Sequence, residues 1–258
     1  MNEFFKNMNP KTAFIAGVVG GIMAVCTVGF IVLLSQFVNG KTFPKSAVFA
    51  PSAQKNAVVD QPTDAAANPA APVSVAAVTD KDHIRGDVNA SIVVVEYSDT
   101  ECPFCKQFHA TMEQLYQNNK GTMAWVYRHF PLASLHSKAP HEAEATECAG
   151  ELGGNDKFWA YLDEMFNRTG SNNSLPETEL PKIATAVGLN EKAFNDCLAS
   201  GRYTQKVQSQ YDEAVAAGGS GTPYSVIIAN GQNTPVNGAV PLAQLQTIID
   251  SAKAAGQK

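Results

Sequence analysis

Positive charge is scarce in this 258-residue sequence, where 19 Lys and Arg stand against 24 Asp and Glu. The deficit is uneven. Residues 1–79 hold five basic and three acidic residues, which leaves 14 against 21 in residues 80–258. An acidic C-terminal part of that kind excludes nucleic acid as its natural partner. Charge of either sign is missing altogether between Lys11 and Lys41. A second close cysteine pair is also missing. Structural zinc sites usually show two such pairs, but beside Cys102 and Cys105 there are only Cys26, within the charge-free stretch, and Cys148 and Cys197, far apart in sequence. No metal is assigned, and there is no internal repeat.

The charge-free stretch contains "AFIAGVVGGIMAVCTVGFIVLLSQFV", 13–38, longer than the roughly 20 apolar residues that cross a bilayer. A cleaved signal peptide has a shorter apolar core followed closely by a small-residue cleavage site. Here the first such site, near Ala50, lies well beyond the run. Bulky Val25 before Cys26 speaks against a lipid-modified cysteine. The expectation is an uncleaved transmembrane anchor at 13–38, with 1–12 as a cytoplasmic tail. Residues 39–79 are rich in Ala, Pro, Ser and Val without sustained period, the composition of an extended tether. A folded domain is expected over 80–258. Lysines flank the span almost evenly, so the positive-inside bias does not orient it. A displayed cysteine pair favours an oxidising compartment, which places the domain on the periplasmic or extracellular side.

That pair sits in "DTECPFCKQFH", 99–109. Two cysteines so spaced can ligate a metal, form a local crosslink, or exchange disulfides. "SIVVVEYS", 91–98, is apolar on both parities, as in a strand covered on both faces. Pro103 then suits the first turn of a helix. Cys102 is thereby placed at a helix N-terminus, where free N–H groups and the dipole favour a thiolate, and Cys105 returns beneath it one turn later. "TMAWVYRHFP", 122–131, reads as a second buried strand. Residues 136–217 read as helical almost throughout. "GSGTPYSVIIANGQNTPVNG", 218–238, reads as two strands around an Asn-Gly turn, and "PLAQLQTIIDSAKAAG" as a closing amphipathic helix. His109 reads as packing at the edge of the cysteine helix. Trp125, Phe130, Phe158, Trp159, Tyr161 and Phe166 read as core.

In that order, "EYSDTECPFC", "RHFPL", "AEATECAGELGGNDKFWAYLDEMF", "AFNDCLASG" and "GSGTPYSVI" resemble the DsbA-like thiol–disulfide oxidoreductases, from about Asp80 to Ala255. The resemblance implies an α/β thioredoxin-like fold with an inserted helical domain at about 136–217. It implies an exposed nucleophile at Cys102, a buried partner at Cys105, and a cis peptide at Thr222-Pro223 that meets the client. Glu96 matches the buried acid that relays a proton for the second cysteine, and a carboxyl in a doubly covered strand has a raised pKa in any case. Pro103 and Phe104 stand between the cysteines, where the most oxidising members carry Pro-His. A Phe lends the thiolate neither charge nor a hydrogen bond, so a less extreme oxidant is expected. Members with a cysteine pair near Cys148 and Cys197 suggest a structural disulfide there, against the alternative of two buried thiols.

No diffusible cofactor is needed, since the cysteine pair is itself the redox carrier. The partners implied are reduced or misoxidised exported proteins and a quinone-linked membrane reoxidant. Two rivals stand beside the oxidase: a disulfide isomerase or reductase working in the reduced state, and a client-binding chaperone on a thioredoxin scaffold.

Overall fold

The computed structural model describes residues 73–256. The 13–38 run, the tail before it and the linker up to residue 72 lie outside the described residues. Among the described residues no helix is long and apolar enough to cross a membrane.

Five strands form one sheet in the order β1-β3-β2-β4-β5. Central β2 (Ile92–Ser98) runs parallel to β3 (Met123–His129) and antiparallel to β4 (Tyr224–Ala229). The β4–β5 hairpin reaches β5 (Gln232–Asn237) through Asn230 and Gly231, both at positive φ, as a two-residue turn of this chemistry requires. On the opposite edge β1 (His83–Arg85) pairs antiparallel with β3. The sequence reading missed β1, because three residues are too few to show an alternation.

β2 is apolar on both parities because both faces are covered. Ile92 and Val94 meet the core formed with α1 (Pro103–Asn118), α2 (Ala139–Arg168) and α6 (Leu242–Ala255). Val95 and Tyr97 face the other way, toward Ala214 of α5 (Thr204–Ala216). Val73, Val75 and Val78 pack on this second face. The packed chain therefore begins before Asp80, inside the stretch read as linker.

The helical insertion has its own core. α2, the short α3 (Leu180–Ala186) and α4 (Glu191–Ala199) bury Tyr161, Met165, Ile183 and Phe194 together. The sequence suggests two helices across 136–168. The structure agrees, since α2 is two helical segments that meet at a kink at Gly154, whose φ of 74° a side chain would disfavour. Cys148 of α2 and Cys197 of α4 are joined by a disulfide within this core. The aromatic residues read as core are all buried.

Candidate active site

Pro103 opens α1, with Cys102 as the capping residue in extended conformation and no side chain capping the helix. The first-turn N–H groups are left free for the sulfur. The Cys102 Sγ also donates to the carbonyl oxygen of Thr222 at 3.6 Å, and the Thr222–Pro223 peptide is cis. The strand-to-helix turn after β2 and the loop before β4 thus meet at one thiol. Both thiols are free in this structure.

Their environments push them apart. Cys102 is lowered to about 6, first by the hydrogen bond from the Cys105 thiol, then by the Thr222 hydroxyl and the N–H groups of Cys105 and Phe104, against some burial. Cys105 moves well up, driven by complete burial and by its negative neighbour. The two shifts favour the anion at Cys102 and the protonated thiol at Cys105. Cys102 is more enclosed than the exposed nucleophile the resemblance implies, at 5% exposure, because it packs into the main core. Phe104, between the two cysteines, is 61% exposed.

Glu96 lies on the α1 side of β2, flanked in the sheet by Tyr127 of β3 and Ser225 of β4. It is fully buried, and the Trp125 Nε1 donates to its Oε2 at 2.9 Å. Desolvation raises its pKa, opposed by His109, Ser98 and Trp125. The Ser98 hydroxyl is the common neighbour, since it also favours the ionised forms of Cys105 and Tyr127. Glu96 Oε1, Ser98 Oγ, Tyr127 OH and Ser225 Oγ are buried without a protein partner. The acid beneath Cys105 therefore belongs to a polar strip in an otherwise apolar core.

The turn that presents Cys102 is held by acids the sequence reading did not single out. Asp99 accepts from the Glu101 and Leu132 N–H groups at 2.8 and 2.7 Å, and its Oδ2 lies 2.9 Å from His136 Nδ1. Glu101 accepts from the Leu175 N–H at 3.2 Å, tying the turn to the insertion. Glu142 of α2 accepts from Thr100 at 2.7 Å, and burial with Glu101 beside it pushes its carboxyl up to about 8. "DTE" carried no sign of this in sequence, because the partners come from residues 132–175.

The structure brings Cys102, Pro103, Phe104 and Cys105 at the start of α1 against the Thr222-Pro223 loop, with Glu96 buried in the neighbouring strand. Cys148 and Cys197 sit in the core of the insertion and, being bonded to each other, offer no thiolate to a metal.

A thioredoxin-type sheet with an activated CxxC pair at its central helix defines a class, the thiol–disulfide oxidoreductases. Residues 78–251 match the family described as thioredoxin, and the chain belongs to it. Among solved structures, DsbA2 of Pseudomonas aeruginosa is similar with a TM-score of 0.58 and 28% identity, over 66% of this chain and 93% of that one. A thioredoxin-like oxidoreductase from Silicibacter pomeroyi DSS-3 gives 0.57 and 25%, over 67% and 92%. Wolbachia pipientis alpha-DsbA1, at 0.60 and 23% over 69% and 94%, shares the fold. Among curated proteins, the Na(+)/H(+) antiporter NhaA 3 of Salinispora tropica is 30% identical over 67% of this chain and 26% of its own length. NhaA 1 of Salinispora arenicola is 32% identical over 67% and 25%. The chain spans about a quarter of the length of these curated relatives.

Proposed function

We propose that the protein introduces disulfide bonds into exported proteins at the bacterial cell envelope, using Cys102 and Cys105 as the redox carrier. The observation that carries this reading is the uncapped helix N-terminus at Cys102, which with the Cys105 thiol and the Thr222 hydroxyl favours its thiolate. A thiolate held in the reduced protein favours that state, which makes the oxidised pair an acceptor of electrons.

A client thiolate attacks Cys102 Sγ of the Cys102–Cys105 disulfide. The Cys105 sulfur leaves with the electron pair and takes a proton from Glu96. A second client thiolate attacks the client sulfur of the mixed disulfide, and Cys102 leaves as the thiolate. The client has lost two electrons and the protein has gained them. A quinone-linked membrane partner that removes them completes the cycle. Thr222, Pro223, Pro103 and exposed Phe104 surround the cysteine pair and would meet an unfolded client through backbone and apolar contact.

In this reading the 13–38 run anchors the chain, and the domain faces the periplasm or cell exterior. The Cys148–Cys197 bridge supports such a compartment, since structural disulfides persist where thiols are not kept reduced.

The test is the equilibrium of the full-length protein with glutathione, run beside oxidation of a reduced unfolded substrate. An oxidase holds the pair more oxidising than glutathione and forms substrate disulfides. A pair more reducing than glutathione that rearranges scrambled disulfides would make it an isomerase or reductase. Client binding unchanged by Cys102→Ala, with no exchange in either protein, would make it a chaperone.

A further inference from the structure

Glu96 must regain a proton after each transfer to Cys105, yet it is fully buried. Ser98 and Tyr127, which flank it, are buried as well. The strip beneath the cysteines has no surface-facing member of its own.

His109 offers a way out. It lies one turn beyond Cys105 on α1, with its ring 5.1 Å from that of Trp125, the indole bonded to Glu96. Its Nε2 is 2.8 Å from Oδ1 of Asp163 on α2. The Asp163 side chain is 31% exposed, while that of His109 is 6% exposed. His109 and Arg85 hold Asp163 below its usual range despite partial burial, so its carboxylate is an acceptor only and the proton sits on Nε2. The other nitrogen, Nδ1, is buried without a protein partner, as is Glu96 Oε1.

The surrounding charges fit this role. Arg85 of β1 binds Asp163 at 2.7 Å and Glu113 of α1 at 3.3 Å. Those two acids and His109 are close enough to hold a cation, but the Arg85 guanidinium already neutralises them. The remaining walls around the ring are Trp125 and Phe166. Glu96 is thus the titratable group on the inner side and Asp163 the one on the outer.

We infer that His109 and Asp163 form the proton conduit between buried Glu96 and solvent, with His109 as the carrier and Asp163 as its outer acceptor. The inference rests on the oxidoreductase reading. In the oxidised protein the ring carries its proton on Nδ1; when Cys105 leaves and takes the Glu96 proton, that Nδ1 proton refills the carboxylate and the ring takes one from solvent at Nε2 by way of Asp163, which gives the Nε2–H form of the reduced structure. On reoxidation Cys105 loses its proton, and the flow reverses. No electrons move through the ring. A buried water between Glu96 and His109 would satisfy both unpartnered atoms and carry the transfer.

The test follows reduction of the oxidised full-length protein by a dithiol peptide from pH 4 to 9, using tryptophan fluorescence. His109→Gln and Asp163→Asn should slow reduction about a hundredfold at pH 7, the low end of a general acid–base effect. Both should flatten the pH dependence of the reduction rate. Small acidic buffers should restore part of the rate, and the Cys102 thiolate absorbance at 240 nm should titrate as before. Asp163→Asn changes one partly exposed atom, so it decides the matter should His109→Gln fail to fold. Native rate and pH profile in Asp163→Asn would overturn the conduit. A native protein that exchanges no disulfides would instead overturn the oxidoreductase reading.

Discussion

The Cys102 sulfur and the Thr222 carbonyl oxygen lie 3.6 Å apart, joined across 120 residues of sequence. The contact couples the nucleophile to the loop before β4, so the thiol's acidity is partly a property of that loop. Thr222→Val removes the hydroxyl that helps hold Cys102 near 6. It should raise the thiolate midpoint and roughly halve the thiolate fraction near pH 6.5. Absorbance at 240 nm during titration reads this directly. An unmoved midpoint would assign the depression to the helix end and Cys105 alone.

The same shift makes the reduced protein's stability depend on pH. Cys102 is depressed from 9.0 to about 6, so its contribution is present above the unfolded value and is lost as pH falls through about 6. The oxidised protein has no such group. The stability of the reduced form relative to the oxidised form should therefore grow between pH 6 and 9. Denaturant melts of both forms at three pH values check it, and a constant difference would contradict the thiolate assignment.

Much of this site was legible in sequence because its chemistry is local. Pro103 after Cys102 marks a helix start, and CxxC spacing stacks two sulfurs on one turn. Glu96 was legible as an acid in a doubly apolar strand. What stayed hidden depends on partners far along the chain. His109 looked like packing because Asp163, which gives it a direction, is 54 residues away. Glu101 gained its meaning from backbone N–H groups near Leu175. β1 was too short for any period to register. Residues 73–79 read as linker because Ala and Val there have no helical or strand period, although Val73, Val75 and Val78 are apolar enough to dock.

Glu142 stabilises the wrong protonation state for a neutral environment. Its folded carboxyl titrates at about 8, against 4.5 for a free one, because of burial and Glu101. A raised pKa lends stability that is full below about 4.5 and is lost as pH rises through about 8. Glu142→Gln keeps an acceptor for Thr100 and cannot ionise. It should raise stability at pH 8 by about 1–2 kcal/mol and have little effect at pH 5, measured by thermal melts. Equal effects at both pH values would show that the proton is not shared there.

Cys148 and Cys197 close a loop with a sequence separation of 49 between α2 and α4. In the chain-entropy picture such a crosslink stabilises by roughly 4 kcal/mol, less any native strain. Replacing both with Ala should lower stability by about 2–4 kcal/mol while leaving the Cys102 titration in place, because their core is separate from that of the cysteine pair. Alkylation mapping should find Cys148 and Cys197 protected under mild reductant that exposes Cys102 and Cys105. Simultaneous labelling of all four thiols would contradict a structural role.

Arg128 is the most committed charge in the domain, and it fastens the chain that leads from the linker. Its side chain is 3% exposed and binds Asp82 at 2.8 Å, and it also binds Glu213 of α5. Burial opposes its charge, but Asp82 and Glu213 keep it protonated. Its guanidinium also donates to the Ala76 carbonyl at 3.2 Å, and Glu213 accepts from the Ala76 N–H at 3.0 Å. One arginine thus clamps residues 76–82 against β3 and α5. Arg128→Met would leave two carboxylates facing each other without their cation, which should cost about 3–5 kcal/mol. It should also free residues 73–79 to limited proteolysis at protease levels that leave the native chain intact. Adding Glu213→Gln and Asp82→Asn to the same protein should recover part of the stability but not the protection, because the donor to Ala76 is still missing. Protection that returned with the triple substitution would assign the clamp to the apolar contacts of Val73, Val75 and Val78 instead.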